Sequence, residues 1–145
     1  MKGQSLIMQF VLFFTVGFSI FLGLSNLFSF YFERTKKNIV QLNRENIAEY
    51  ISSIATIETI ASNKHDFIRY RFNLRNTTTE YFFETELSKD GLKVISTPDF
   101  NEYKTSINNL NYTINELVGF FPSAIKHGQL VYDKRLNKLF LSEVT

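Results

Sequence analysis

The chain has 145 residues, a formal net charge of +2 and no cysteine. Acids and bases are mixed along it with no basic block, which argues against nucleic acid as a partner. The missing cysteine excludes a disulfide framework, a thiolate zinc site and a cysteine nucleophile. Its 16 phenylalanines are a further bias, and eight of them fall between Phe10 and Phe32.

Positions 5–32 carry no charged side chain. A helix that spans a bilayer needs about 20 mostly apolar residues, so this run is long enough. It follows Met1-Lys2-Gly3-Gln4 directly. A secretory signal peptide has an apolar core of about 7–15 residues and a small-residue cleavage site behind it. This run is longer and no such site follows. An ordinary signal anchor fits the same residues.

A third reading rests on Lys2-Gly3-Gln4-Ser5. A short basic leader ending in glycine, followed at once by a long apolar helix, resembles the class III signal of archaeal type IV pilins and archaellins. The resemblance covers roughly the first 30 residues. It implies cleavage by a membrane peptidase between Gly3 and Gln4, with Lys2 as the basic leader residue. The apolar helix then stays with the mature protein and serves as membrane anchor and assembly element. Many family members carry a glutamate near the fifth mature residue, where this chain has Met8. That departure implies a minor or accessory subunit, not the major polymerising one. The domains expected are a leader over 1–3, an assembly helix over 4–32, an amphipathic extension over 33–62 and a β-domain over 63–145. Gly17, Ser19 and Gly23 offer small residues for close approach of like helices, though the two glycines lack the G-x-x-x-G spacing.

Orientation has two indications. Lys2 lies before the helix, and Arg34, Lys36 and Lys37 lie after it, offset by Glu33. The positive-inside rule would therefore put the large domain in the cytoplasm. The pilin-like topology puts it outside the cytoplasmic membrane, and that orientation is the expectation adopted.

Residues 33–62 contain neither glycine nor proline. Ile47, Tyr50, Ile51, Ile54, Ile57, Glu58 and Ala61 recur at helical spacing, with Glu58 the one polar member. Arg44, Glu45, Glu49 and Ser52 fall elsewhere in this reading. The spacing predicts one helix from about residue 5 to about residue 61, about 85 Å long at 1.5 Å per residue.

Beyond Ser62-Asn63-Lys64 the period becomes 2. Ile68, Tyr70, Phe72 and Leu74 alternate with Arg69, Arg71 and Asn73, which predicts a half-buried strand. Asn76-Thr77-Thr78-Thr79 reads as a turn. Tyr81, Phe83, Thr85 and Leu87 alternate with Phe82, Glu84 and Glu86, a second strand whose acids are expected to face the arginines of the first. Asp90-Gly91 signals a hairpin into Leu92, Val94 and Ser96, closed by Pro98. Those three strands are expected to form a meander. The segment 99–115 reads as a loop with one short strand near 111–115, and 116–127 as a short helix broken by Pro122 or an irregular bridge. A last hairpin joins 129–133 to 138–142. The fold expected is α+β: a long N-terminal, transmembrane helix running into a small antiparallel sheet or sandwich of five or six strands, in the pilin-like lollipop layout.

Chemistry-bearing motifs are absent from the sequence. There is no H-E-x-x-H, G-x-S-x-G, P-loop or dinucleotide fingerprint. His65 and His127 read as solvated surface residues, and Glu84/Glu86 as a solvated strand face. No catalytic, metal or cofactor residue is expected, and the chain is read as a non-enzyme. Asn76-Thr77-Thr78 and Asn111-Tyr112-Thr113 match the N-glycosylation pattern. The expected function is a structural or accessory part of an archaeal surface filament, with membrane, other pilin-like subunits and the surface layer as partners. The alternative is a single-pass anchored binding domain that does not polymerise.

Overall fold

The structure, a computed structural model, describes residues 2–61, 65–74, 81–107, 110–122 and 127–144. The chain divides into two compact units, Met1–Ile39 and Val40–Thr145. Helix α1 runs Lys2–Ala61, 60 residues, so the continuous helix expected from the missing breakers is present. The first unit is the helix alone, with exposed side chains throughout 4–35. The boundary falls where α1 first packs on a sheet, at Val40.

In the second unit α1 buries one stripe: Val40, Arg44, Ala48, Ile51, Ser52, Ile54, Ala55 and Glu58. The steps of 3 and 4 keep these on one side of a helix. Ala48 and Ala55 are fully buried, and their small size lets the helix settle close to the strands. The stripe is rotated from the one expected. Arg44 and Ser52 belong to it, whereas Ile57 is 65% exposed and Tyr50 lies at its margin. Tyr50 still makes an edge-on contact with Phe72, ring centroids 6.3 Å apart.

The strands are β1 Phe67–Phe72, β2 Phe82–Ser88, β3 Gly91–Thr97, β4 Glu102–Thr105, β5 Glu116–Pro122, β6 Gly128–Asp133 and β7 Lys138–Glu143, with a short helix α2 at Leu110–Thr113 between β4 and β5. They form a single seven-stranded sheet in the order β1-β6-β7-β5-β2-β3-β4. The α+β class is as expected. The sheet has more strands, and β5 pairs with β7 in parallel while the other pairs are antiparallel. Its inner face presents Phe83, Leu87, Val94, Phe121, Leu130 and Leu139 to the helix stripe in one core. A fully buried side chain of this size contributes about 1.5–3 kcal/mol, which makes this layer the principal source of stability.

Several local expectations hold. The β2–β3 hairpin turns at Lys89–Asp90, and Gly91 has a φ of 126° that a side chain rarely adopts. β3 ends before Pro98, and β6 and β7 form the terminal hairpin. Others are corrected. β1 is not beside β2: it is an edge strand paired with β6, so the meander is β2-β3-β4. Arg69 lies opposite Val131 and Arg71 opposite Gln129, while Glu86 lies between Lys93 and Phe120. The proposed Arg–Glu cross-strand pairs therefore do not form within the chain. Segment 99–115 holds β4 and α2 in place of a strand near 111–115. Segment 116–122 is an interior strand, not a helix or bridge, with Pro122 as its last residue, where a missing N–H is tolerated.

Candidate functional site

The first unit presents an apolar surface on every side. Phe28 is 74% exposed, Met8 75% and Leu22 47%, and the large side chains between them fall in the same range. The helix is long and apolar enough to cross a membrane by length and composition. Two of its hydroxyls bond back to the helix backbone. Thr15 Oγ1 donates to the Val11 carbonyl at 2.8 Å, and Ser19 Oγ donates to the Thr15 carbonyl at 2.8 Å. Such back-bonding removes the cost of placing a hydroxyl in hydrocarbon. Phe14 and Phe18 stack with centroids 6.0 Å apart.

No side chain from Ser5 to Phe30 is ionisable near neutral pH. What this surface can do is leave water. On insertion, each Leu, Ile, Phe or Val near a bilayer centre contributes about 0.3–0.6 kcal/mol. Outside lipid, the same side chains need other apolar surface to cover them.

The residues expected to act are distributed as follows. The Gly3–Gln4 bond lies within α1, and Gln4 is exposed. A Cβ at Gly17 or Gly23 would meet nothing within 4 Å, so neither glycine is required by a contact inside the chain. At about 100° per residue, Ser19 and Gly23 share a side with Thr15, and Gly17 falls on another. Asn76 lies outside the described residues, as does the side chain of Asn111. His65 and His127 are both exposed, and Glu84 and Glu86 point away from the helix on the outer face of the sheet. Among the described residues no group of three His, Asp or Glu side chains converges on a common point.

Two buried polar features under the helix were not expected. Arg44 Nη1 donates to Ser96 Oγ at 2.8 Å and lies 3.7 Å from Asp99 Oδ2. Ser96 Oγ donates to Asp99 Oδ1, and Asn101 Nδ2 donates to Asp99 Oδ2 at 2.7 Å. Burial pushes the Asp99 carboxyl up, but the Ser96 and Asn101 hydrogen bonds and the Arg44 charge outweigh it and hold it below its ordinary range. This network ties α1 to the β3–β4 turn. The 40, 44, 48 spacing was the available signal for Arg44. The second feature is Glu58, 2% exposed, whose two carboxyl oxygens have no hydrogen-bond partner. Burial pushes its carboxyl up to about 8; the Tyr70 backbone opposes this without completing a hydrogen bond. Comparison with family models, with curated proteins and with solved structures finds no match to this chain.

Proposed function

We propose that this chain is a structural, non-enzymatic protein of a cell surface, inserted in the cytoplasmic membrane through residues 4–32 and assembling there with like helices into, or as an accessory of, an archaeal type IV pilus-like filament. The observation that carries the reading is the helix surface of 4–32, apolar and exposed on all sides. Lipid covers such a surface before assembly, and neighbouring helices cover it afterwards. The β-domain then lies outside the membrane, and its contacts include the surface layer. The Lys2-Gly3-Gln4-Ser5 junction supports processing after Gly3.

A second reading, a single-pass anchored binding domain that never polymerises, is favoured by Arg34, Lys36 and Lys37 just beyond the apolar run. Processing separates the two. Intact-mass analysis of membrane-extracted protein gives a chain lacking Met1-Lys2-Gly3 on the first reading. Gly3→Val should then leave the tripeptide attached. Native protein that retains it, with filaments absent from sheared surface fractions, supports the plain anchor instead.

A further inference from the structure

The turn between β3 and β4 carries a side chain that the fold does not account for. Phe100 is 74% exposed and has a φ of 52°. A bulky side chain rarely adopts that left-handed conformation, whereas asparagine and glycine adopt it readily. Among the described residues the other non-glycine residue of positive φ is Asn137, whose type suits its conformation. The turn closes without the Phe100 ring. Ser96 N donates to the Asn101 carbonyl at 3.0 Å, and the Ser96 and Asn101 side chains both donate to the Asp99 carboxylate. Its neighbours thus hold an exposed aromatic ring in a strained place, and strain that folding does not require points to a function.

This turn lies at the end of the sheet where α1 enters the second unit. Arg44 meets Ser96 and Asp99 there, and Ser52, about two turns further along α1, donates to the Ser106 carbonyl beyond the far end of β4. Phe82, also exposed, stands at the same end, opposite Thr97. The two carboxylates beside Phe100 are engaged: Asp99 with Arg44, and Glu102 between Lys93 at 3.1 Å and Lys104 at 3.3 Å. An apolar tip whose acids are neutralised suits contact with a lipid surface. The chain keeps this tip near the apolar run. The steps from Phe32 to Val40 span no more than about 28 Å even when fully extended, and as part of α1 they rise about 12 Å. The run 5–32 is itself about 42 Å long as a helix, against a hydrocarbon core of about 30 Å, and tilting is one way a span takes up such an excess. Tilt lowers one side of the tethered end toward the headgroups.

From these observations we infer that Phe100 is a lipid anchor of the β-domain. Before any assembly, its ring inserts in the interface of the same membrane that α1 spans, and it fixes the side on which the domain leans. The inference rests on the membrane insertion proposed above, and it is independent of processing at Gly3 and of filament formation. The interface accepts an aromatic ring that leaves water without crossing the hydrocarbon. A turn already fixed by its own hydrogen bonds loses little conformational freedom when the ring inserts, so most of the gain from leaving water is kept. A second copy of the chain is the competing occupant. The tether favours lipid, because it holds Phe100 close to one membrane at all times, whereas a copy has to be encountered.

The sequence has no tryptophan, so a single one reports its own surroundings. Full-length Phe100→Trp, reconstituted in vesicles and recovered with them by flotation, should lose about half or more of its tryptophan emission when the lipid is brominated high on the acyl chains, because interfacial side chains sit about 5–10 Å into the headgroup–acyl boundary. Leu136→Trp puts the probe on the exposed β6–β7 turn, at the opposite end of the sheet, and should keep its emission in the same lipid. Phe100→Asn should unfold in urea at the wild-type midpoint or above it, because asparagine tolerates the left-handed backbone. Unquenched Phe100→Trp in floated vesicles would overturn the anchor and leave membrane insertion standing; a blue-shifted but unquenched probe would assign the ring to a second copy. Equal quenching of both probes would also overturn it, since the domain would then touch lipid without a preferred end. So would a midpoint clearly lowered by Phe100→Asn, which would make the ring a packing residue. Protein that fails to float with the vesicles would remove the insertion reading and the anchor together.

Discussion

Glu58 makes the stability of the β-domain fall as pH rises through neutrality. Its carboxyl titrates near 8 in the folded chain against 4.5 for an unperturbed glutamate. Below about pH 4.5 both folded and unfolded chains hold the proton, and Glu58 adds no pH dependence. Between about 4.5 and 8 the folded chain holds it and the unfolded chain does not. Stability then declines by about 1.4 kcal/mol per pH unit from this group. Above about 8 the decline levels off, after a total loss of about 3–5 kcal/mol. Since the side chain is 2% exposed, solvent screening does little to reduce this. Glu58→Gln keeps the shape and removes the titration. It should match the wild type within about 1 kcal/mol at pH 5 and exceed it by about 3–5 kcal/mol at pH 9. Urea unfolding of detergent-solubilised full-length protein, followed by the near-ultraviolet circular dichroism of its tyrosines, reads the difference. Wild-type stability equal at pH 5 and pH 9, or a variant that keeps the wild-type slope, would refute the assignment of a buried, unpartnered carboxyl.

The remaining predictions concern the sheet and its tie to the helix. Ser96→Ala removes the acceptor for Arg44 Nη1 in a site where Arg44 Nε already lacks a partner, and should cost about 2–4 kcal/mol in the same unfolding assay. Asp99 supplies the acid limb. Its carboxyl is held low in the folded chain, so the stability it adds is present above its ordinary value of 3.8 and is lost as pH falls through that region; Asp99→Asn should flatten the loss measured between pH 5 and pH 2. Gly119→Ala should cost about 3 kcal/mol or more, because Gly119 has a φ of 150° and a Cβ there would run into the Leu141 backbone across the parallel β5–β7 pair. Heat unfolding near that of the wild type would contradict the β5–β7 register.

Local signals in the sequence carried much of the fold. The absence of breakers made α1 legible, and alternation made β2, β3, β6 and β7 legible. Hydrophobic spacing places the helix stripe one side off, because Ile57 counts with the apolar set while Arg44 and Ser52 count as polar. Their burial depends on partners at Ser96 and Ser106, 52 and 54 residues away, which no local pattern reveals. Strand β5 is not legible from periodicity, because Leu117–Phe121 is apolar on both faces but for Gly119, and an unbroken apolar run of that length lacks a period to identify it. The position of β1 is likewise not a local property. Neighbours in sequence usually pair, but β1 and β2 are separated in the sheet by β6, β7 and β5. The same displacement keeps the arginines of β1 away from the glutamates of β2. The apolar helix needed no structure to be noticed, since lack of charge over 5–32 is a compositional fact.

The proposal that the helix is covered by its own kind is tested most directly by cysteine scanning of positions 15–26 in native membranes, one substitution at a time, with mild oxidation. Self-linked dimers should recur every three to four positions, as one helix side meets its copy. Uniformly unlinked protein across the whole scan would mean that lipid alone surrounds the helix, and would contradict assembly through it.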